Sequence, residues 1–362
     1  MRPNFTTIMK KLFNLILLFS AIILTTSCSK DEDTEVPLRD YAEQYATDLA
    51  DIEQYLQTHY IENVVNNPGQ TDDQNIIITK IPDGGTQTSI WDQTQYPLSF
   101  LLVEKDNITY KVYYLKTREG SGANSTSPTN YDNVLVAYKG SLLNDSVFET
   151  NNLPQDFFNL NGVIRGWSEV FPKFKTGSYT ANSNGTISYF DFGAGALFIP
   201  SGLAYYNQPR INIPPYSPLV FTIKLLEVVR IDHDGDGILS YLEDRSGDGY
   251  LRLDDPLDDT DGDGTPDFLD KDDDGDTILT RIEIQNIVGG VTYFYPYNGA
   301  ATDDLSTPIN ETQGIPRAFT GPLLNPSLPE SETNRRQPTP EDYTDPARLR
   351  RHLDSNCKPP YQ

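Results

Sequence analysis

The spacing of apolar residues predicts one long helix near the start of the chain. Between positions 38 and 60 apolar side chains recur every three or four residues, which is typical of an amphipathic helix that begins just after Pro37. The residues of this face are Leu38, Tyr41, Tyr45, Leu49, Ile52 and Leu56. We expect this helix to pack on the domain that follows it or to self-associate, without a catalytic role.

Alternating apolar and polar residues predict strands further along the chain. The predicted strands are 76–81, 98–103, 110–114, 134–138 and 219–229. Gly, Ser, Asn and Pro predict a loop between 117 and 132, whereas the last part of the chain, 289–362, is rich in Pro, Thr and Asn and has little periodicity. These patterns predict an α+β protein with a loosely structured C-terminal region.

The N-terminus has the order of a secretory signal peptide. Two lysines precede a 13-residue apolar run from Leu12 to Leu24, which is short for a membrane-spanning helix, and small residues lead to Cys28. Thr26-Ser27-Cys28 resembles a bacterial lipobox, in which the cysteine is lipidated. We therefore expect a signal peptide at 1–27 and a lipid anchor on Cys28 in the outer membrane of the cell envelope. An ordinary cleaved signal is the alternative.

Two further features bear on location. Cys28 and Cys357 are the only cysteines, so no disulfide framework stabilises the fold. Residues 29–33, Ser-Lys-Asp-Glu-Asp, resemble the signal that directs some lipoproteins to the cell surface, although a solvated linker would look the same. The sequence therefore does not decide between the cell surface and the periplasmic face of the membrane.

The charge of the chain is concentrated in one segment. Asp and Glu number 52 against 28 Lys and Arg, a net charge of −24, which argues against a nucleic-acid partner and against charge-driven binding to anionic lipid. Residues 232–283 contain 19 acidic and 4 basic side chains, so this segment contributes −15 of the −24. The acidity requires a local explanation.

The aspartates of this segment recur with the spacing of calcium loops, at positions 1, 3, 5 and 12, often with glycine at position 6. The first predicted loop comprises Asp232, Asp234, Asp236, the backbone of Ile238 and Glu243. The others comprise Asp259, Asp261, Asp263, Asp267 and Asp270; Asp272, Asp274, Asp276 and Glu283; and, with a poorer match, Asp244, Asp248 and Asp255.

Such spacing brings several carboxylate oxygens onto one hard cation, and an all-oxygen set favours Ca²⁺ over zinc. The loops start only 12, 15 and 13 residues apart, too close for a helix on each side of every loop. The segment therefore resembles the tandem calcium repeats of thrombospondin type 3, in which Ca²⁺ is a structural ion. A disordered acidic spacer is the alternative.

The central part of the chain has a different chemistry. Between 109 and 229 there is no histidine, so neither a Ser-His-Asp nor a Cys-His arrangement can be assembled there. Large apolar and aromatic residues predominate instead. A site made from them would be an apolar cleft with a few polar groups, suited to binding rather than covalent chemistry.

Six short motifs in order resemble the FKBP-type peptidyl-prolyl cis-trans isomerases across 106–230. They are Val-Ala-Tyr-Lys-Gly at 136–140, Val-Phe-Glu at 147–149, Val-Ile-Arg-Gly-Trp at 163–167, Ile-Pro-Ser-Gly-Leu-Ala-Tyr at 199–205, Ile-Pro-Pro at 213–215 and Leu-Val-Phe-Thr-Ile-Lys-Leu-Leu at 219–226. The resemblance implies an antiparallel sheet curled around one short helix that starts near Gly166.

The resemblance also implies a proline-binding site without a cofactor. Its residues would be Tyr138, Phe148, Glu149, Phe158, Val163, Ile164, Trp167, Tyr205, Ile213 and Phe221. Trp167 would be the floor of the pocket, while the Ile164 backbone N–H and the Tyr205 hydroxyl would bind the substrate carbonyls beside proline. Substrates would be proline-containing proteins.

Three features depart from the family pattern. Glu149 stands where Asp is usual, Tyr206 replaces a glycine, and extra residues between 178 and 195 contain an Asn184-Gly185 turn signal, which predicts a hairpin that extends the sheet. The alternatives to an isomerase are therefore a catalytically weak chaperone or proline-binding module, and an adhesion or spacer protein dominated by its calcium repeats.

The predicted organisation has five parts. They are 1–27, signal peptide; 28–105, linker and amphipathic helix; 106–230, isomerase domain; 231–285, calcium repeats; and 286–362, a Pro-rich C-terminal region. The sequence leaves the oligomeric state open.

Overall fold

The computed structural model describes residues 38–331 and 333–358. The described residues from Asp40 onward belong to one compact unit. Within the described ranges, no helix combines the length and the apolar character that crossing a membrane requires. The predicted signal peptide and Cys28 lie outside the described residues, so both stay predictions.

The predicted amphipathic helix is present as α1, Tyr41–Thr58. It starts at Tyr41 rather than at residue 38 because the Asp40 carboxylate accepts hydrogen bonds from the N–H groups of Ala42 and Glu43 and so caps the first turn. A small antiparallel pair follows, β1 His59–Val64 with β2 Ile76–Lys80.

A seven-stranded antiparallel sheet forms the centre of the unit. Its strands are β3 Ser99–Lys105, β4 Ile108–Arg118, β5 Asn133–Leu142, β6 Val147–Asn151, β7 Phe158–Asn159, β10 Gly193–Ile199 and β11 Leu219–Val229. The order is β3-β4-β10-β11-β5-β6, and β7 also pairs with β5. All five predicted strands are confirmed, four of them in this sheet and 76–81 as β2 of the small pair.

The two faces of this sheet bury two separate cores. Successive residues of a strand point to opposite faces, so Val112 of β4 and Leu197 of β10 join one core whereas Tyr113 and Phe198 join the other. A short helix, α2 Arg165–Val170, packs in the first core. Helix α1 covers the second face. The sheet with one short helix was predicted, and α1 adds a third layer.

The extra residues before β10 do form a hairpin, β8 Ser178–Ala181 with β9 Ile187–Phe190. Gly185 adopts the left-handed conformation that its turn requires, with φ +82°. The prediction that this hairpin extends the sheet was wrong, because β8 and β9 pair only with each other. Asp191, at φ 53°, turns the chain between β9 and β10 and so interrupts the extended path.

Residues 231–285 contain four loops linked by short turns and end in α3, Thr280–Glu283. The later elements are β12 Gln285–Val288, β13 Val291–Phe294 and α4 Pro340–Thr344. Ile238 and Ile284 pack with Ile315 in a small third core, so the loops and the C-terminal region share apolar contacts.

The C-terminal region is ordered where it was predicted to be loose. Asp342 is fully buried, pairs with Arg317 and accepts hydrogen bonds from Thr320 and Thr339. Arg351 donates to the backbone carbonyl of Gln285 at 2.6 Å. These contacts join side chains to irregular backbone and have no sequence period, so apolar spacing could not reveal them.

Candidate active site and candidate metal loops

The sheet and α2 enclose a cavity of about 820 Å³ beside the first core. Nine of the ten predicted site residues line it: Tyr138, Phe148, Glu149, Phe158, Val163, Ile164, Trp167, Tyr205 and Phe221. The tenth, Ile213, is buried in the adjoining core and does not reach the cavity. It supports the pocket rather than lining it.

Aromatic rings meet Trp167 edge to face. The ring centroids of Tyr138, Phe158 and Phe221 lie 5.1, 5.7 and 5.2 Å from that of Trp167, with the planes inclined at 79–84°. Trp167 is buried, and its indole Nε1–H has no hydrogen-bond acceptor in the described chain. The pocket therefore has rigid apolar walls.

A glycine on β5 makes room for one of these walls. A Cβ atom at Gly140 would lie 2.4 Å from the ring of Phe148 and 2.9 Å from that of Phe221. Only glycine lets both rings cross the strand at this point. Their centroids are 5.6 Å apart.

A few polar groups face the cavity. Burial, and then a hydrogen bond to the Glu149 carboxylate, raise the pKa of the Tyr138 hydroxyl, so the longer acidic side chain still reaches its partner. The guanidinium of Arg210 lies 5.0 Å from the ring centroid of Tyr205. The N–H of Ile164 has no acceptor among the described residues, which leaves it available to a ligand.

Helix α1 contributes to this site, which the sequence analysis did not anticipate. Tyr41 lines the cavity and stacks on Tyr206 with the ring centroids 4.5 Å apart. Tyr206 has φ 52°, the left-handed conformation that suits the glycine it replaces, and this stack helps to hold it there. The buried Asp48 carboxylate accepts hydrogen bonds from both the N–H and the hydroxyl of Ser201, at 2.7 and 2.6 Å.

All four acidic loops share one backbone conformation. In each loop the first aspartate accepts a hydrogen bond from the N–H of the sixth residue, at 2.8–3.1 Å. The sixth residues, Gly237, Gly249, Gly264 and Thr277, all have φ between 80° and 110°. Thr277 therefore replaces glycine in the sequence but keeps the backbone conformation of the other three loops. This conformation is costly for a β-branched residue.

Three groups of carboxylates have ligand atoms within 4.8 Å of one another. The groups are Asp234, Asp236, Glu243 and Asp273; Asp259, Asp261 and Asp263; and Asp272, Asp274 and Asp276. Burial, and then neighbouring negative charges, raise the pKa of Glu243 to about 10 and that of Glu283 to about 9. Buried carboxylates of this kind need either protons or a cation.

The orphaned oxygens give a direct test of whether these loops suit a cation. One oxygen each of Asp234 and Asp236, and both of Glu243, are buried and accept no hydrogen bond in the described chain. The second oxygen of Asp234 and of Asp236 accepts from backbone N–H groups inside the loop. Each carboxylate thus shapes its loop with one oxygen and leaves the other for a ligand. The donor set fits Ca²⁺.

Some predicted ligands lie outside the three groups. Both oxygens of Asp267 accept hydrogen bonds from Thr260, and one lies 3.8 Å from Arg245, so Asp267 stabilises its loop from outside the three groups. Asp255 and Asp270 each accept from a backbone N–H two residues on. Asp232, Asp244 and Asp248 likewise accept backbone hydrogen bonds within their loops. Glu283, also predicted, is buried outside the three groups, and so is Ile238, whose backbone was the predicted ligand.

Two buried aspartates were missed by the spacing rule. Asp273 stands between two ligand positions, and Asp258 lies outside the predicted sets. Asp258 accepts from the N–H of Ser246 with one oxygen, while its other oxygen is orphaned. Only their burial identifies them.

The loops contact the pocket side of the sheet. The Tyr250 hydroxyl donates to the backbone carbonyl of Glu169 in α2 at 2.7 Å. The side chain of Asn130 exchanges two hydrogen bonds with the backbone of Leu251, at 2.9 and 2.7 Å. The ring of Tyr131 meets that of Phe268 edge to face. The helix that carries Trp167 is therefore joined directly to the loop segment.

Comparison with known proteins identifies the class to which the central part is related. Over 105 residues the chain is 36% identical to the FKBP-type peptidyl-prolyl cis-trans isomerase FkpA of Escherichia coli strain K12. It is 34% identical over 115 residues to the FKBP-type 22 kDa isomerase of the same strain, and 32% identical over 107 residues to the isomerase Mip of Coxiella burnetii. Over this part the chain is homologous to FKBP-type isomerases.

These matches are partial. They cover 28–31% of this chain and 33%, 47% and 39% of the three relatives, so the chain spans less than half the length of the curated relatives it matches. The crystal structure of Escherichia coli FkpA aligns with 60% of this chain and 72% of its own, at 22% identity and a TM-score of 0.29. A Pseudomonas syringae isomerase aligns with 54% and 99%, at 18% identity and a TM-score of 0.32. Scores of this size do not define a shared overall fold.

A second comparison concerns the acidic loops. Residues 233–309 match the family described as BamM C-terminal. The match crosses the boundary predicted at 285 and includes Tyr295 and Tyr297, which pack against the third core. One family match therefore covers both the acidic loops and the residues that follow them, and the two also share apolar contacts.

Proposed function

We propose that the protein is a peptidyl-prolyl cis-trans isomerase of the FKBP type that acts at the aromatic cavity. The observation that carries this proposal is the convergence of nine predicted side chains, separated by up to 83 positions in sequence, on one cavity of about 820 Å³. The homology of the central part to named isomerases supports the same reaction.

The proposed mechanism relies on solvation and positioning. An X–Pro bond rotates over a barrier of about 18–20 kcal/mol because rotation breaks amide resonance. Resonance places charge on the carbonyl oxygen, so the apolar walls around Trp167 favour the twisted, less polar amide. The N–H of Ile164 and the hydroxyl of Tyr205 would hold the flanking carbonyls in that geometry. This chemistry requires neither a cofactor nor a covalent intermediate.

A proline-isomerisation assay on an X–Pro peptide tests the proposal. Trp167→Leu should lower kcat/KM by about tenfold or more, because the floor of the pocket is lost. Trp91→Leu changes the only other tryptophan, which contacts Tyr113 away from the cavity, and should leave kcat/KM unchanged. Equal rates for wild type and Trp167→Leu would overturn the isomerase and favour a proline-binding or chaperone module that keeps the fold.

The acidic loops are proposed to bind Ca²⁺ as a structural ion. The orphaned oxygens of Asp236 and Glu243 support this assignment, because burying unpaired carboxylates costs several kcal/mol per group unless a cation or proton neutralises them. With Ca²⁺ bound, the loops would keep the conformation that places Tyr250 against α2. Titration of the chelator-treated protein with calcium chloride in a calorimeter tests it, and no heat at about millimolar Ca²⁺ would contradict it.

The protein is further proposed to act in the cell envelope on exported proteins, anchored by lipid at Cys28. The signal-like order of residues 9–28 supports this location. Mass spectrometry of the N-terminal peptide should detect a lipid mass on Cys28, and Cys28→Ser should release the protein from membranes. Protease treatment of intact cells then distinguishes the surface from the inner face.

A further inference from the structure

The set of four converging carboxylates at the first loop includes one residue from the last loop. Asp234, Asp236 and Glu243 belong to the first loop, but the fourth member, Asp273, stands 30 residues beyond Glu243. In its own loop Asp273 occupies the second position, between the ligand positions of Asp272 and Asp274. The spacing rule assigns that position no role.

The surroundings of Asp273 show that it faces a different site from its neighbours. Asp272 and Asp274 group with Asp276, whereas the Asp273 carboxylate points into the group of the first loop. Its backbone N–H donates to the Thr280 hydroxyl at 3.2 Å. The chain bends and turns at residues 272–274, so adjacent aspartates can face two sites.

Asp273 is also buried without a partner. Asp273 is 2% exposed, and neither of its carboxylate oxygens accepts a hydrogen bond in the described chain. Among the described residues, no Lys or Arg forms an ion pair with Asp234, Asp236, Glu243 or Asp273. Four carboxylates therefore converge with six buried oxygens that the protein itself does not satisfy.

We infer that Asp234, Asp236, Glu243 and Asp273 bind one calcium ion together, and that this ion fastens the last loop to the first. The inference rests on the proposed calcium binding and adds a ligand and a consequence to it. The first loop starts three residues after β11 ends at Val229. A shared ion would therefore hold the far end of the loop segment against the end of the sheet, closing the chain between residues 243 and 273.

The test uses the full chain with calcium chloride as the probe. Asp273→Asn keeps the shape of the side chain and removes its charge, and it should abolish one bound ion or weaken it by about tenfold or more, since ligand charge sets the affinity of such sites. Asp254→Asn is the matched control: Asp254 is exposed in the same segment, outside all three groups. It should leave the number of ions unchanged.

Two further measurements separate a ligand from a residue that merely packs. The double variant Asp236→Asn with Asp273→Asn should lose no more ions than either single variant, because both belong to one site, whereas Asp273→Asn with Asp276→Asn should lose two. In chelator, Asp273→Asn should raise Tm, because one repelling charge is gone, yet it should reduce the rise in Tm that calcium produces.

The outcomes distinguish this inference from the proposal beneath it. If the wild-type protein binds no calcium, the proposed calcium loops are wrong and the shared site falls with them. If the wild type binds calcium and Asp273→Asn behaves like Asp254→Asn, the loops stand and only the shared site is overturned. Loss of two ions in the Asp236 and Asp273 double variant would likewise overturn it.

Discussion

The aromatic cavity and the acidic loops are both buried regions, but they differ in whether their buried groups have partners within the protein. Around Trp167 the walls are apolar rings that pack edge to face, and the Tyr138 hydroxyl has a protein partner, although the indole N–H of Trp167 has none in the described chain. Around Glu243 the chain cannot satisfy itself, because buried carboxylates meet other carboxylates. The first region can form from the sequence alone, whereas the second requires something from solution.

This difference predicts which conditions each region responds to. The cavity should respond to changes in side-chain volume and hardly to ions. The loops should respond to calcium and to pH. The hydrogen bond from Tyr250 to the backbone of Glu169 joins the two, so each response has a route to the other region.

The largest expected effect is the loss of stability on calcium removal. A site saturated about 1,000-fold above its Kd adds about 4 kcal/mol to the free energy of unfolding, so stripping several sites should lower Tm strongly. Differential scanning calorimetry with calcium and with chelator measures this. Magnesium serves as the control, since it demands a tighter octahedral site and should restore little. An unchanged Tm in chelator would remove the contrast between the two regions.

The next effect is an unusual pH dependence of the chelated protein. The folded-state pKa of Glu243, about 10, exceeds its ordinary value of 4.5, and that of Asp236 is raised to about 6. A raised pKa contributes stability when the group is protonated, and this contribution is lost as pH rises through the folded-state values. Tm in chelator should therefore fall from about pH 5.5 to about pH 8.

Calcium should reverse the sign of that slope, because protons compete with the ion for the same oxygens. Glu243→Gln provides the control, since it should flatten the slope in chelator. A chelated wild type that is more stable at the higher pH would contradict the burial of these carboxylates.

A moderate effect is expected from Asp48→Asn in α1. One Asp48 oxygen accepts both hydrogen bonds from Ser201 and the other accepts from the Gln44 amide, so the NH2 group of Asn would face a donor on one side, and the free energy of unfolding should fall by about 2 kcal/mol. The loop that carries Tyr205 should shift, and kcat/KM for an X–Pro peptide should fall as well. Urea unfolding and the isomerase assay measure the two effects. Asp51→Asn, on the exposed face of the same helix, should change neither, and equal behaviour of the two variants would show that α1 does not position the site.

The smallest effect concerns the link between the regions. Tyr250→Phe removes one buried hydrogen bond to the carbonyl of Glu169 and should cost about 1 kcal/mol of stability. Urea unfolding measures this loss against Tyr179→Phe, which alters an exposed ring of the β8–β9 hairpin. If both variants unfold alike, the hydrogen bond between Tyr250 and α2 does not stabilise the protein and does not link the two regions.

The sequence signals that predict the pocket are local, and nine of the ten predicted residues line one cavity. Alternation located all five predicted strands, and each motif around residues such as Tyr138 or Trp167 places a side chain on a strand or helix whose register is set by the apolar faces. The same reasoning failed for the β8–β9 hairpin. Whether a hairpin joins a neighbouring sheet depends on the path of the chain at Asp191, which alternation does not encode.

By itself, then, the sequence determined the strands and the four loop conformations, because each depends on periodicity or on spacing within about a dozen residues. The candidate pocket residues followed from the resemblance of six short motifs to the FKBP-type isomerases. Only the tertiary structure decided that Tyr41 of α1 lines the cavity and Asp48 binds Ser201, that the described C-terminal residues are packed, and that Asp273 joins the carboxylates of another loop. Those contacts connect residues far apart in the chain, and burial appears only when the chain is folded. Which aspartates are buried, and which other carboxylates they approach, therefore depends on the tertiary fold.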